Sequence, residues 1–248
     1  MLEAIPISDT LSARLAEVRR QIVASARRAG RDQEDIRLIA VSKTHPAQIV
    51  EEAIGAGAVD FGENRVQEAA EKRALIKDSN SKVNWHLIGH LQANKARRAV
   101  QTFDYIHSLD SVALAARLDR LCGEENRDVL SVLIQVDLAG EATKTGAPES
   151  DLENIVDAVR NSEHLRLVGL MTLPPFFEDA ERARPFFRRL RELRDNLRNQ
   201  NAFAEKDANN LGGGELSMGM SHDYSVAIEE GATMVRVGTA IFGARKKQ

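Results

Sequence analysis

Two hydrophobic rhythms alternate along the chain. Short, near-continuous apolar runs such as "RLIAVS" and "DVLSVLIQVDL" are separated by longer stretches whose apolar residues recur at every third or fourth position. The first rhythm belongs to strands buried on both faces, the second to helices with one buried stripe. A helix is predicted over 8–30, capped by Ser8 or Asp9 and stopped by Gly30. Strand and helix then alternate. "IRLIAVSK" leads to "PAQIVEEAIGAG", with Pro46 at the first helical position, and "VDFGEN" leads to a charged helix over 65–76. "VNWHLIGH" precedes "NKARRAVQ", and "YIHSLD" precedes "SVALAARLDRLCG". "DVLSVLIQVDL" precedes "PESDLENIVDAVRNS", whose first residues offer good capping chemistry, and "LRLVGLMTLPP" precedes an arginine-rich helix over 178–199. A very short strand in "ELSMGMSHD" leads to "SVAIEEGA", and "TMVRVGTAIFG" ends the series.

Eight strand–helix units behind one leading helix close naturally into a (β/α)8 barrel, for which about 250 residues is typical. An open doubly wound sheet is the alternative. No linker, repeat or low-complexity tract divides the chain, so a single TIM-barrel domain over 1–248 is expected, with 199–215 as a connection into strand seven.

Hydrophobic residues make up 43% of the chain, enough for such a core, and the net charge of −3 gives no general attraction to nucleic acid. The arginines of "RRLRELRDNLR" are interleaved with Glu192 and Asp195 at helical spacing, the pattern of a solvated face. A single cysteine, Cys122, permits no internal disulfide, fits a reducing compartment, and is expected to be a small buried residue. The N-terminal stretch lacks a basic segment followed by an apolar core, and no run approaches the ~20 apolar residues that span a bilayer. A cytoplasmic location without membrane or nucleic-acid partners is therefore expected.

In a barrel, chemistry sits at the C-terminal ends of the strands. Those ends present Lys43, then Gly62 to Asn64, His86 with His90, His107, Asp137, Met171 with Thr172, Ser217 to Ser221, and Arg236 to Thr239. The loops after strands seven and eight are the usual phosphate site. There "SMGMS" offers the hydroxyls of Ser217 and Ser221, and Gly238 with Thr239 opens a short helical turn whose N–H groups would cradle an anion. Each glycine taken alone reads equally well as a turn residue. Strands one and eight become neighbours when a barrel closes, which brings Lys43 beside Arg236 and this cup. A partly desolvated lysine next to another cation has a lowered pKa, and the neutral amine is the form that attacks an aldehyde. An isolated strand-end lysine is more commonly an exposed charge.

Amine plus phosphate cup suggests pyridoxal 5′-phosphate (PLP). Three readings stay open: a protein that holds PLP on Lys43, a PLP-dependent racemase, and a phosphosugar enzyme with an aldolase-type lysine. "HLIGH" has zinc-like spacing only on a helix; on a strand and turn the imidazoles do not share a face, and no metal is expected. Asp137 and Glu141 in "VDLAGE" read as loop caps in preference to an acid–base pair.

The stretches "LIAVSKTHP", "FGENRVQE", "WHLIGHLQANK", "GLMTLPP", "LSMGMSHDYSVAI" and "VRVGTAIFG" together resemble the pyridoxal phosphate homeostasis proteins, also called proline synthase co-transcribed or PLP-binding barrel proteins. The resemblance runs from Lys43 to Gly243. It implies the type III PLP fold, a TIM barrel like the N-terminal domain of alanine racemase and of eukaryotic ornithine decarboxylase. It implies PLP held as a Schiff base on Lys43, phosphate held by Ser217, Ser221, Gly238 and Thr239, and Arg236 facing the pyridine nitrogen. Asn64, His90 and Met171 would line the pocket. Two departures are Arg65 after "FGEN", where an aromatic residue is expected, and "VDLAGE", which lacks a hydroxyl residue before its glycine.

Arginine is always charged and can only donate, so it leaves a facing pyridine nitrogen unprotonated and the ring a poor sink for a carbanion. That argues against transamination. Racemisation needs a second acid–base group, which alanine racemase takes as a tyrosine from a second domain of its partner subunit. No such domain is expected here, and neither Tyr105, expected in strand four, nor Tyr224, just after the phosphate loop, suggests that role. The expectation is a monomer that binds PLP, buffers it and passes it to apo-enzymes with little or no turnover. A slow, broad-specificity amino-acid racemase is the alternative.

Overall fold

The computed structural model describes residues 10–76, 83–140, 145–206 and 209–243. The first helix, α1, runs Leu11–Arg28. Its cap is Thr10, whose Oγ1 accepts from the Ala13 N–H at 3.2 Å; the expected caps, Ser8 and Asp9, lie outside the described residues. Leu11, Leu15, Val18, Ile22 and Ala26 recur at three- and four-residue steps and are buried. Gly30, at φ +64°, takes the left-handed conformation that ends the segment.

Eight parallel strands follow: β1 (Arg37–Val41), β2 (Asp60–Glu63), β3 (Asn84–Leu87), β4 (Tyr105–Leu109), β5 (Leu130–Asp137), β6 (Leu165–Met171), β7 (Glu215–Met220) and β8 (Met234–Val237). Each pairs with its successor, and β8 pairs with β1, setting Ile39 opposite Arg236 and Ala40 opposite Val237. That last pairing closes the barrel and removes the open-sheet alternative. A two-residue strand, Ala147–Pro148, pairs with the end of β5.

The helices are α2 (Ala47–Gly55), α3 (Val66–Leu75), α4 (Ala96–Thr102), α5 (Val112–Glu124), α6 (Leu152–Arg160), α7 (Arg184–Asn199), α8 (Tyr224–Glu229) and α9 (Thr239–Phe242). Helix α1 lies against α2, α8 and α9, on the outside of the β1–β8 seam.

Several boundaries differ from the pattern. Pro46 is extended, at φ −70° and ψ 163°, and stands at the cap of α2, not in its first turn. Glu149–Asp151 forms a 3-10 turn ahead of α6, and Asp151 makes no capping bond with its side chain. The segment expected as one helix over 178–199 breaks into a 3-10 turn, Ala180–Ala183, and α7, with Pro185 in the first turn where its missing N–H costs nothing. Of the arginines in "RRLRELRDNLR", Arg188, Arg189 and Arg198 are exposed, as their spacing suggests, while Arg191 is half-buried and Arg194 departs from the pattern. Arg184, Arg188 and Arg191 converge on the buried carboxylate of Glu230, and Arg194 is itself buried, donating to the Gly214 carbonyl at 2.9 Å.

The apolar interior has two layers. One lies between strands and helices. The other fills the lumen with Ile39, Tyr105, Leu133, Val168, Met171, Leu211 and Met234. Leu133 is fully buried there, so Leu133→Ala is expected to lower the unfolding free energy by about 2–5 kcal/mol, read from urea midpoints at unchanged slope. Cys122 is buried in the outer layer, and burial pushes its thiol up to about 11, which makes it unreactive until the barrel opens.

Candidate functional site

The segment leaving β1 is fixed before Lys43 is reached. The Ser42 N–H donates to the Gly62 carbonyl at 3.1 Å, and its hydroxyl donates to Glu63 Oε1 at 2.7 Å. Lys72 on α3 donates to the Ser42 carbonyl (2.8 Å), Glu63 Oε1 (2.6 Å) and Glu68 Oε1 (2.7 Å). Glu68 also accepts from the Thr44 N–H at 2.5 Å. Thr44 has φ +67°, a left-handed conformation disfavoured for a β-branched residue, and it is held by the bonds of its own N–H and of the Ser42 carbonyl to α3. Lys43, partly buried, is the residue this turn carries.

Across the seam, β8 runs into Gly238 and the short turn of α9. A Cβ on Gly238 would stand 3.2 Å from the Val41 carbonyl, so the two strand exits nearly touch. The Gly238 N–H donates to Ser221 Oγ at 3.2 Å, and Thr239 begins α9, where the first N–H groups of a helix have no intrahelical acceptor. The rings of His45 and Phe242 lie 5.2 Å apart, and Arg14 Nε donates to the Ile241 carbonyl at 2.7 Å, tying α9 to both α2's approach and α1.

"SMGMS" divides its two hydroxyls. Gly219, at φ +90°, packs so close to α8 that a Cβ would lie 2.6 Å from Ala227 Cβ. The pairing with β8 slips between Ser217 and Met220, and Asp223 accepts the Met220 N–H at 2.6 Å. This bulge delivers Ser221 to Gly238. Ser217 stays inside the lumen, wholly buried, where it accepts from Arg236 at 2.6 Å and meets His107 Nδ1 at 2.9 Å. The structure therefore groups Ser221 with Gly238 and Thr239, and groups Ser217 with Arg236.

Arg236 is buried in β8; its other terminal nitrogen donates to the Thr172 carbonyl at 2.9 Å, just past the end of β6. Burial lowers its pKa to about 10, which still leaves it a cation at neutral pH. Met171 is fully buried in the lumen layer. Asn64 and His90 are exposed and border a cleft with Arg65, Glu68 and Lys95. The two loops touch: a Cβ on Gly89 would fall 2.4 Å from the Asn64 carbonyl.

His86 is a satisfied barrel residue, as its place in the strand suggests, bonded to Asp60 and His107. His107, expected at the rim, is the third residue of β4 and wholly buried. Asp137 caps its loop by accepting from Ala139 (2.9 Å) and Gly140 (3.2 Å), while Glu141 lies outside the described residues. Tyr105 begins β4 at the far end of the barrel, and the Tyr224 hydroxyl donates to Gln21 at 2.5 Å. Among the described residues, no cluster of three His, Cys, Asp or Glu side chains could hold a metal ion, and no helix is long and apolar enough to cross a membrane.

The sequence reading missed Ser42, Glu68 and Lys72, and gave Glu63 no role beyond its place at the end of the second strand. The i,i+4 spacing of Glu68 and Lys72 was visible; their convergence on the Lys43 turn depends on how α3 packs over β1 and β2.

A parallel barrel with a strand-end lysine beside a hydroxyl-and-amide turn is the architecture of the alanine racemase class. The family model described as "Alanine racemase, N-terminal domain" matches residues 14–246. An alanine racemase from Clostridium difficile 630 shares this fold at a TM-score of 0.71, with 14% identity, 97% of this chain and 58% of that one aligned. Two relatives are much more similar. The pyridoxal phosphate homeostasis protein of Pseudomonas aeruginosa is 43% identical over 241 residues, 96% of each chain. The structure of PipY from Synechococcus elongatus, with PLP bound, has a TM-score of 0.80 at 40% identity, covering 94% of this chain and all of that one. The chain belongs to the pyridoxal phosphate homeostasis protein family.

Proposed function

We propose that this chain binds PLP at the C-terminal mouth of the barrel, holds it reversibly on Lys43, and serves as an intracellular store that passes it to apo-enzymes with little or no turnover of its own. The observation that carries the reading is the near contact of two strand exits, where the Lys43 turn faces the Ser221–Gly238–Thr239 turn across the β1–β8 seam. The donor set fits the group: a primary amine for an aldehyde, a hydroxyl and helix-start amides for a phosphate, and a donor-only guanidinium for a ring nitrogen. PipY, with PLP bound and 40% identical, supports it.

When bound, PLP supplies an aldehyde that condenses reversibly with an amine. Lys43 offers that amine on a turn fixed by Lys72 and Glu68. Ser221, Gly238 and Thr239 hold the phosphate without a lysine. Arg236 would face the pyridine nitrogen and, as a donor-only cation, would leave it unprotonated, which suits storage better than carbanion chemistry. Asn64, His90 and Met171 border the pocket. The positions of the two tyrosines speak against racemisation: Tyr105 is at the other end of the barrel, and Tyr224 is bonded to Gln21 on α1.

The test is a visible spectrum of the purified chain before and after borohydride, followed by peptide mapping. We expect a coloured protein, loss of colour on reduction, and the cofactor fixed to the peptide that contains Lys43. Lys43→Ala is expected to be colourless and folded. A colourless parent, or colour indifferent to that substitution, removes the proposal. In the same preparation, single-enantiomer amino acids are expected to stay enantiopure; turnover at the rate of dedicated racemases would favour the enzyme reading.

A further inference from the structure

Five side chains from five different strands form one unbroken hydrogen-bonded series through the barrel lumen. Arg236 on β8 meets Ser217 on β7 at 2.6 Å, and Ser217 meets His107 Nδ1 on β4 at 2.9 Å. His107 Nε2 meets His86 Nδ1 on β3 at 2.9 Å, and His86 Nε2 meets Asp60 Oδ1 on β2 at 3.0 Å. None of the five is more than 3% exposed. We propose that this series is a one-directional wire in which Arg236 is the terminal donor and Asp60 the terminal acceptor, so that Asp60, at the floor of the barrel, is a positioning residue for the arginine at its mouth.

The direction follows from what the two ends can do. An ionised carboxylate only accepts, so the proton between Asp60 and His86 sits on His86 Nε2. Asp60 is held as the carboxylate: burial acts to raise its pKa, but the hydrogen bond from His86, the Arg37 guanidinium at 2.9 Å and the Asn84 amide outweigh that and lower it. A neutral His86 then has a bare Nδ1, which must accept, so His107 carries its proton on Nε2. His107 Nδ1 is bare in turn and accepts from the Ser217 hydroxyl. The oxygen of Ser217 accepts from Arg236, which can only donate. Read from either end, the assignment is the same, and every link is satisfied.

A charged ring breaks this pattern. An imidazolium at either histidine turns His107 Nδ1 into a donor toward Ser217, whose oxygen already accepts from Arg236, and strands the hydroxyl hydrogen. It also adds a second cation beside a buried guanidinium, and His107 is held well below the ordinary histidine range by burial and by the nearby Arg236 charge. Tyr105 stacks flat on His86 at 4.7 Å, keeping its ring in the plane both bonds need. The carboxylate whose charge reaches Arg236 directly is Asp223; Asp60 is linked to it only through the series.

Two measurements on the chain without cofactor test the wire. Nitrogen-15 NMR of the imidazoles at neutral pH is expected to show His86 and His107 both neutral, each protonated on Nε2. A proton on Nδ1 of either ring, or an imidazolium, overturns the proposal. A double-mutant cycle of Asp60→Asn and Arg236→Met then tests coupling through the lumen. Separated sites without a shared partner normally add. Here the folding constant of the double variant is expected to exceed the product of the single effects about tenfold, which is about 1.4 kcal/mol; additivity overturns the proposal. If the variants do not fold, the NMR result on the unaltered chain still decides.

One consequence rests on the cofactor reading. Asp60→Asn is expected to weaken PLP binding about tenfold by equilibrium dialysis, and unchanged affinity counts against a positioning role. Failure of the unaltered chain to bind PLP sinks the cofactor reading alone, because neither of the first two measurements uses it.

Discussion

Lys72→Met is expected to destabilise the protein by about 3–5 kcal/mol, the cost of leaving a buried charge without its partner. Lys72 is 5% exposed and Glu63 fully buried, so the carboxylate has no water to fall back on. Glu63 Oε2 already lacks a partner among the described residues, and only Oε1 is bonded, to Lys72 and Ser42. The same substitution frees the Ser42 carbonyl and Glu68, and with them the turn that carries Lys43. Chemical denaturation will read the first effect. A slowed or weakened reaction of Lys43 with PLP, followed by absorbance, will read the second. A change in stability below about 1 kcal/mol would show that the cluster is not a clamp.

The pH dependence has a definite sign. Burial raises the Glu63 pKa, against the opposing hydrogen bonds and charge of Lys72 and the hydroxyl of Ser42. A carboxyl whose folded pKa exceeds its unfolded value binds its proton more tightly in the folded state. Its contribution is therefore full below the unfolded pKa and is lost as pH rises through the folded one. Glu63→Gln removes that titration, so its stability profile is expected to be flatter than the parent's just above the ordinary carboxylate range.

Gly219→Ala is the second large expectation. At φ +90° an L-residue costs roughly 1–3 kcal/mol in backbone strain. Its Cβ would also lie 2.6 Å from Ala227 Cβ and 2.8 Å from Tyr224 Cα, contacts that only a shift of α8 can relieve, for about 1–3 kcal/mol more. The shift carries Ser221 away from Gly238, so phosphate-bearing ligands should bind more weakly in proportion. Gly213→Ala makes the control: it has φ +69° but no atom within 4 Å of a Cβ. It should show backbone strain alone and unchanged ligand binding. Equal effects from the two substitutions would mean that the crowding at 219 is without consequence.

Much of this architecture was legible from the chain because strands buried on both faces announce themselves as solid apolar runs. "DVLSVLIQVDL" could be little else than β5. The seam between β1 and β8 was inferred from closure alone, and with it the close approach of the β1 exit to Gly238. What stayed hidden were interactions that depend on which way a strand residue faces. Ser217 and Ser221 look equivalent in "SMGMS", but a bulge around Gly219 sends one into the lumen and the other to the mouth. His107 reads as a rim residue until the strand is seen to continue to Leu109. The arginines of α7 follow the periodicity of a wet surface, and Arg188, Arg189 and Arg198 are exposed, but nothing in the spacing shows that Arg184, Arg188 and Arg191 meet at Glu230 or that Arg194 is buried. In each case the missing information is tertiary.

On the proposed site, the amine comes from the turn after β1 and the phosphate turn from the exit of β8, so a nascent chain holds only half the site until β8 has left the ribosome. Ligand capture is then possible only for a completed ring. A molecule bridging that joint binds the closed form and not the open one, so vitamin supply adds directly to fold stability by mass action. Starved of it, the same barrel loses that contribution at the β1–β8 seam.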